Sequence, residues 1–273
     1  MRVSRGLEQL APSTDPFFLV VGVFDGLHLG HAYLLERLVD AARVRSARPT
    51  VITFDHHPDE ILTGSAPPLL CDPEERLERL AAAGVDTTVV VHFDQRLRET
   101  TYDAFVGMIA ARGPIAGFLM TPDAAFGYER RGTPTTLAAM GAERGFEVSV
   151  VPPFTLDGRV VRSTEVRAAI TAGTLALASR LLGRDHAVVG AAGPTGEGSR
   201  LRFVLPVALP PNGDYEVLVS GRGRSAGNLP AREGRAAGEP GADRRVATVE
   251  GGEIVIPGDA VRGTARVVFV SGR

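Results

Sequence analysis

Lysine is absent from the 273 residues, so every one of the 30 residues counted as Lys or Arg is arginine. A Walker-type phosphate loop and a Schiff-base lysine are both excluded. Any phosphate chemistry in this chain rests on arginine, histidine, backbone N–H groups and metal. One cysteine, Cys71, leaves no intramolecular disulfide and no cysteine-based zinc site. No apolar run approaches membrane-spanning length, and Met1-Arg2-Val3-Ser4-Arg5 leads into no signal-peptide core. Membrane is therefore not an expected partner, and the expected location is cytoplasmic. A formal net charge of -2 gives no basic footprint, so nucleic acid is not an expected partner either. With 44% hydrophobic and 23% charged residues, the composition is that of a soluble globular protein with one large domain or two modest ones.

What is present concentrates in Phe17–Leu35. The charge-free run Phe17-Phe18-Leu19-Val20-Val21-Gly22-Val23-Phe24 reads as a buried strand of a parallel sheet. It breaks into Asp25-Gly26-Leu27-His28-Leu29-Gly30-His31. After Gly30, Leu34, Leu35, Leu38 and Val39 recur at helical spacing while Glu36, Arg37 and Asp40 take the other face. His28 and His31, three apart at the helix start, are expected to lie on one face beside its unpaired N–H groups. That arrangement suits phosphate oxygens whose charge rises during a reaction. The same spacing also fits a metal pair or core imidazoles.

Strands and helices then alternate to about Leu182. Strands are expected at Val51–Phe54, Thr87–Phe93, Ile115–Met120 and Glu147–Val151, and helices at Tyr102–Ala111, Thr136–Arg144, Ser163–Ala172 and Thr174–Leu181. Asp72-Pro73-Glu74-Glu75 opens another helix, with Asp72 as cap and Pro73 at the first helical position. Glu74, Glu75, Arg76, Glu78 and Arg79 are expected to form its solvated face. This alternation predicts an α/β fold, a doubly wound, Rossmann-like parallel sheet with ligands outside the carboxyl ends of the strands. After Gly183-Arg184 only short strand-like runs remain: Ala187–Val189, Leu201–Val207, Tyr215–Val219, Val246–Val249, Glu253–Val255 and Ala265–Val270. They predict a small β-barrel or sandwich. The expected domains are 1–185 and 186–273, with a mobile loop near 221–245.

Three segments are expected to converge at the strand ends. Asp25-Gly26 leads into His28, Gly30 and His31, and its glycine lets backbone approach a nucleotide closely. Asp55-His56-His57-Pro58 follows the second strand. Arg162-Ser163-Thr164-Glu165-Val166-Arg167 follows the turn Leu156-Asp157-Gly158-Arg159, where Ser163 or Thr164 can cap a helix or bind phosphate. Four of the six histidines, His28, His31, His56 and His57, sit in the first two segments.

At these residues the chain resembles the bacterial FAD synthetases, bifunctional riboflavin kinase/FMN adenylyltransferases. Their GxFDGxHxGH segment is matched by Gly22–His31, and TFDPHP by Thr53–Pro58 with His56 in place of proline. Leu182-Gly183-Arg184 matches the LGR stretch that closes the first module, and Phe93-Asp94 and Phe105 also match. The resemblance covers roughly residues 15–185. The family's flavin-holding GxDFRFG or GxNFRFG becomes Thr121-Pro122-Asp123-Ala124-Ala125-Phe126-Gly127, and SSTxIR becomes Arg162–Arg167 without its first serine. Losing the aromatic at 124 and the cation at 125 is expected to cost ~1–3 kcal/mol of acceptor binding each. In the second module the kinase stretch GRxLGFPTAN has no counterpart: Gly193–Arg200 stands there without FPTAN. Asn212-Gly213-Asp214-Tyr215 resembles the family's DGVY.

The resemblance implies transfer of AMP from ATP (or CMP from CTP) to FMN, with Mg²⁺ carried by the nucleotide and no protein metal ligand identified. It assigns His28, His31 and Arg167 to charge on the triphosphate, and Phe24, Asp25, Gly26, Gly30, Ser163 and Thr164 to the nucleotide. Asp55, His57, Pro58, Asp123 and Phe126 fall to the acceptor. His92 and His186 are expected to be structural, and the barrel to have lost kinase activity. Two other readings stand beside this one: transfer to a different phosphorylated small molecule, which Ala124 and Ala125 permit, and a catalytically weak flavin- or nucleotide-binding protein. Oligomeric state is left open.

Overall fold

The structure, a computed structural model, describes residues 1–221 and 242–271. They form two compact units. The first is built from Met1–Phe24, Gly30–Pro67 and Leu77–Phe154, and the second from Asp25–Leu29, Pro68–Arg76 and Thr155 onward.

In chain order the elements of the α/β part are β1 (Arg2–Arg5), β2 (Phe17–Val21), α1 (Leu29–Val44), β3 (Arg48–Phe54), α2 (Asp59–Leu62), α3 (Pro73–Ala82), β4 (Thr87–Val91), α4 (Gln95–Arg98), α5 (Tyr102–Ala110), β5 (Ile115–Met120), α6 (Pro134–Arg144) and β6 (Glu147–Val150). The six strands make one parallel sheet in the order β1-β4-β3-β2-β5-β6. From β2 the chain first winds outward through β3 and β4, then returns to the other side of β2 for β5 and β6. The reversal opens a crevice beyond the carboxyl ends of β2 and β5, where doubly wound sheets bind ligands. Phe17, Phe18, Leu19 and Val20 are buried, as a strand covered on both faces requires. Leu35, Leu38 and Ala42 form the buried stripe of α1. The core of this unit gathers Leu19, Ile52, Val89, Phe118, Leu137 and their neighbours.

The second unit holds β7 (Thr155–Leu156), β8 (Arg159–Val160), α7 (Ser163–Thr171) and α8 (Leu175–Leu182). It continues with β9 (Ala187–Thr195), β10 (Gly198–Arg202), β11 (Gly213–Gly221), β12 (Asp243–Glu250), β13 (Glu253–Pro257) and β14 (Gly263–Phe269). Strands β9 to β14 close into an antiparallel barrel in the order β10-β13-β12-β11-β14-β9. Leu201, Val217, Ile254, Ile256, Val267 and Phe269 fill it. The α/β sheet followed by a small barrel is the fold class read from the sequence.

Several details differ from that reading. The strand expected at Leu201–Val207 is β10, which begins at Gly198 and ends at Arg202. Pro206 supplies no N–H for a ladder, and beyond Arg202 the segment leaves the barrel strands, with Val207 bridging Leu69 instead. Gly193–Arg200 lies in the hairpin joining β9 to β10. Glu75 and Arg76 are buried rather than solvated, and Arg266 Nη2 donates to Glu75 Oε1 at 3.4 Å. Of the loop expected at 221–245, Gly221 closes β11 and Asp243–Arg245 open β12, while residues 222–241 lie outside the described residues. Among the described residues no helix is long and apolar enough to cross a membrane.

Candidate functional site

The segment after β2 departs from regular backbone at once. Phe24, Gly26 and Leu27 all take left-handed conformations, with φ of 54°, 76° and 40°. Two of them carry side chains that disfavour this region, so the surroundings must impose it. Gly26 has no substitute: a Cβ there would stand 2.8 Å from the Leu70 Cβ.

In the second unit the Asp25 carboxylate organises the loop. Only 3% exposed, it accepts from the Leu70 N–H at 3.0 and 3.1 Å and from Arg167 Nη2 at 2.8 Å. Arg167 Nε donates to the Pro68 carbonyl at 2.8 Å. The Ser163 hydroxyl donates to the Asp25 carbonyl at 3.3 Å. No side chain caps α7, whose N-cap is Arg162, and Thr164 is exposed on its first turn. The sequence offers Ser163 or Thr164 either as that cap or as a phosphate contact, and neither caps the helix.

Arg184, in the sequence only the end of the LGR stretch, is built into the same loop. Nη2 donates to the Gly26 carbonyl at 2.6 Å and Nη1 to the Leu27 carbonyl at 3.2 Å. Gly183 ends α8 in the left-handed conformation, φ 73°, which turns the chain toward this contact. His28 is buried among these groups. Burial first, then the charges of Arg184 and Arg167, lowers its pKa from 6.5 to about 4. At neutral pH it is an uncharged imidazole in a cationic surrounding, and an anion bound beside it would stabilise its imidazolium form.

In the first unit His31 lies on the opening turn of α1, its ring 5.0 Å from that of Phe24. The Thr53 hydroxyl donates to the Val23 carbonyl at 2.9 Å and ties the exits of β2 and β3 together. Beside these strand ends is a cavity of about 720 Å³. Gly22, Val23, His57, Pro58, Phe93, Phe118, Ala124, Ala125 and Phe126 line it, with Arg98 and Arg130 also on its wall. Phe126 packs at 5.4 Å on Phe105 and 5.9 Å on Phe118, which fixes its ring as part of that wall. Size and lining suit a flat heteroaromatic ligand. The His57 Nδ1 accepts from the Asp59 N–H at 3.2 Å. Asp123 is exposed; Thr121 donates to its carboxylate at 2.8 Å, and Arg130 Nη2 to its carbonyl at 3.2 Å. Asp55 is not among the lining residues; its carboxylate turns to His56 and His92.

The unit boundary divides the predicted residues. Phe24, Gly30, His31, Asp55, His57, Pro58, Asp123 and Phe126 fall in the first unit, and Asp25, Gly26, His28, Ser163, Thr164 and Arg167 in the second.

The FAD synthetase family model matches residues 11–165. This chain belongs to the FAD synthetase family. The bifunctional riboflavin kinase/FMN adenylyltransferase of Escherichia coli (strain K12) is 34% identical over 193 residues, 70% of this chain and 62% of that protein. The protein of the same description from Pseudomonas fluorescens is 33% identical over 191 residues, 70% of this chain and 61% of its own length. The aligned part thus spans about three fifths of these family members. A solved structure described as a macrolide-efflux protein from Streptococcus pneumoniae has the same fold: TM-score 0.78, 22% identity, covering 100% of this chain and 90% of that one.

Proposed function

We propose that this chain is an FMN adenylyltransferase, forming FAD and pyrophosphate from ATP and FMN, in a nucleotidyltransferase domain of residues 1–185. The observation that carries the reading is the buried His28 imidazole beside Arg167 and Arg184, on a loop whose backbone is forced into left-handed conformations. An oxygen of the FMN phosphate attacks the α-phosphorus of ATP, and the bond to the bridging oxygen of the β-phosphate breaks. Catalysis is then positioning plus charge stabilisation.

His28 and His31 take up charge on the triphosphate, with Arg167 and Arg184 supplying positive field and Ser163 and Thr164 contacting phosphate oxygens at the start of α7. Phe24, Asp25, Gly26 and Gly30 shape the nucleotide loop. His57, Pro58 and Phe126 wall the acceptor, and Asp55 and Asp123 hold the loops that carry them. The Asp25 carboxylate is already committed to Leu70 and Arg167, so this loop offers cations and N–H groups rather than a carboxylate cage. That set fits a Mg²⁺ held by nucleotide phosphates and water, where it offsets phosphate charge. A cytoplasmic location is part of the same reading.

The barrel, residues 186–273, lacks the FPTAN stretch, and we read it as without riboflavin kinase activity. Purified protein with Mg²⁺, ATP and FMN should form FAD and pyrophosphate, while riboflavin and ATP should give no FMN, both followed by chromatography. Nucleotide binding without FAD formation would overturn the reading.

Ala124 and Ala125 on the cavity wall favour a second reading, a phosphorylated acceptor other than FMN. The variant Ala124→Phe/Ala125→Arg decides between them. If FMN is the acceptor, restoring a ring and a cation should lower KM for FMN by about 10-fold or more, from ~1–3 kcal/mol per contact. An unchanged or higher KM would favour the other acceptor.

A further inference from the structure

The carboxyl ends of β3 and β4 bring together three side chains, Asp55, His56 and His92, none of which lines the acceptor cavity. Asp55 Oδ1 lies 3.1 Å from His56 Nδ1, and Asp55 Oδ2 lies 2.7 Å from His92 Nδ1. The two imidazoles meet edge to face at 5.6 Å. One ligand atom from each of the three residues lies within 4.8 Å of the others, the only such group of His, Cys, Asp or Glu among the described residues. The carboxylate is held in place before anything binds, because its Oδ1 also accepts from the His56 N–H at 2.7 Å and the Phe93 N–H at 3.2 Å. Fixed donors of this kind are what a metal site needs around its first ligands.

We propose that Asp55, His56 and His92 bind one divalent transition-metal ion of the Zn²⁺ class. Two imidazoles and a carboxylate are the donor set such ions prefer over Mg²⁺ or Ca²⁺, which take mostly oxygen ligands. In a tetrahedral site with bonds of ~2.0–2.1 Å, ligand atoms stand about 3.3 Å apart. The three ligand atoms already lie within 4.8 Å of one another, and side-chain rotation would have to bring them to that spacing. His56 and His92 are exposed and Asp55 is partly so, leaving a path for the ion and a coordination position for water or an oxyanion. The site belongs to this chain rather than to its family, since the matching TFDPHP segment carries proline where His56 stands. Binding displaces whatever proton His92 and Asp55 share. None of this depends on the adenylyltransferase reading, which the assay above tests separately.

The test uses the full chain, freed of any affinity tag and of metal by chelation. Calorimetric titration with Zn²⁺ in the presence of excess Mg²⁺ should give one equivalent bound, and Co²⁺ should give the visible absorption of a low-coordinate histidine site. His92→Ala and His56→Ala should each weaken Zn²⁺ binding at least tenfold. Both side chains are exposed, so these variants should keep the parent's circular dichroism melting curve. If either does not, His92→Gln and His56→Gln replace them. Zn²⁺ binding of equal strength in parent and variants would place the ion on other histidines and overturn the proposal. So would the absence of binding at micromolar protein.

Discussion

Replacing His31 with alanine should lower kcat for adenylyl transfer by about 10²–10³, the loss typical when one donor to developing charge is removed. KM for ATP should change far less if His31 acts mainly on the transition state. His31 is the sharper probe of the HxGH segment because it is only partly buried, with its ring set against that of Phe24. His28, at 4% exposure, would leave a void in the second unit when truncated, and folding and catalytic effects would mix. His31→Asn, which retains a polar side chain, should recover part of the loss. An alanine variant that turns over at the parent rate would remove His31 from the reaction.

The parts of this molecule that were legible in the sequence are those with local physical causes. The charge-free run at Phe17–Phe24 reads as a covered strand, and β2 takes its first five residues, ending at Val21 before the glycine-bearing loop. Asp72 accepts from the Glu74 and Glu75 N–H groups at 3.0 and 3.2 Å, as its position before Pro73 implied. Asp157-Gly158 turns the β7–β8 hairpin with φ of 51° and 76°, the left-handed pair such a turn requires.

What escaped depends on distant partners. Asp25 pairs with Arg167 across 142 positions, and Arg184 reaches Gly26 across 158. Neither contact leaves a periodic trace. In the sequence Arg184 shows only as the end of the LGR stretch. Glu75 and Arg76 read as solvated because charge alone was visible; Arg266, 191 positions away, accounts for the burial of Glu75. β1 was missed because Arg2-Val3-Ser4-Arg5 is a polar edge strand whose pairing with β4 alone defines it. The four-residue helices α2 and α4 are too short to show a period.

Acidification from pH 7 to pH 5 should destabilise the second unit through two buried histidines. Burial lowers both His28 and His186 from 6.5 to about 4. His186 is 1% exposed, 2.8 Å from the Ala208 carbonyl and stacked on Phe269, and that carbonyl only partly opposes the burial effect. Between pH 6.5 and 4 the unfolded chain binds protons at these histidines that the folded chain refuses. Stability is therefore full above pH 6.5 and falls as pH drops. By pH 5 the loss is about 2 kcal/mol for each histidine, from the linkage of 1.36 kcal/mol per pKa unit. The lowered carboxylates Asp55 and Asp86 keep their contribution through this range, because it is lost only nearer their own pKa. His92, raised by its hydrogen bond to Asp55, works in the opposite direction but is exposed and lies in the first unit. The chain has no tryptophan, so far-ultraviolet circular dichroism in guanidinium at pH 7 and pH 5 is the appropriate readout. His186→Gln keeps a group able to hydrogen-bond Ala208 and removes one titration, so it should show about half the parent's pH-dependent loss. A parent midpoint that does not move between pH 7 and pH 5 would mean that neither imidazole is held neutral by the fold.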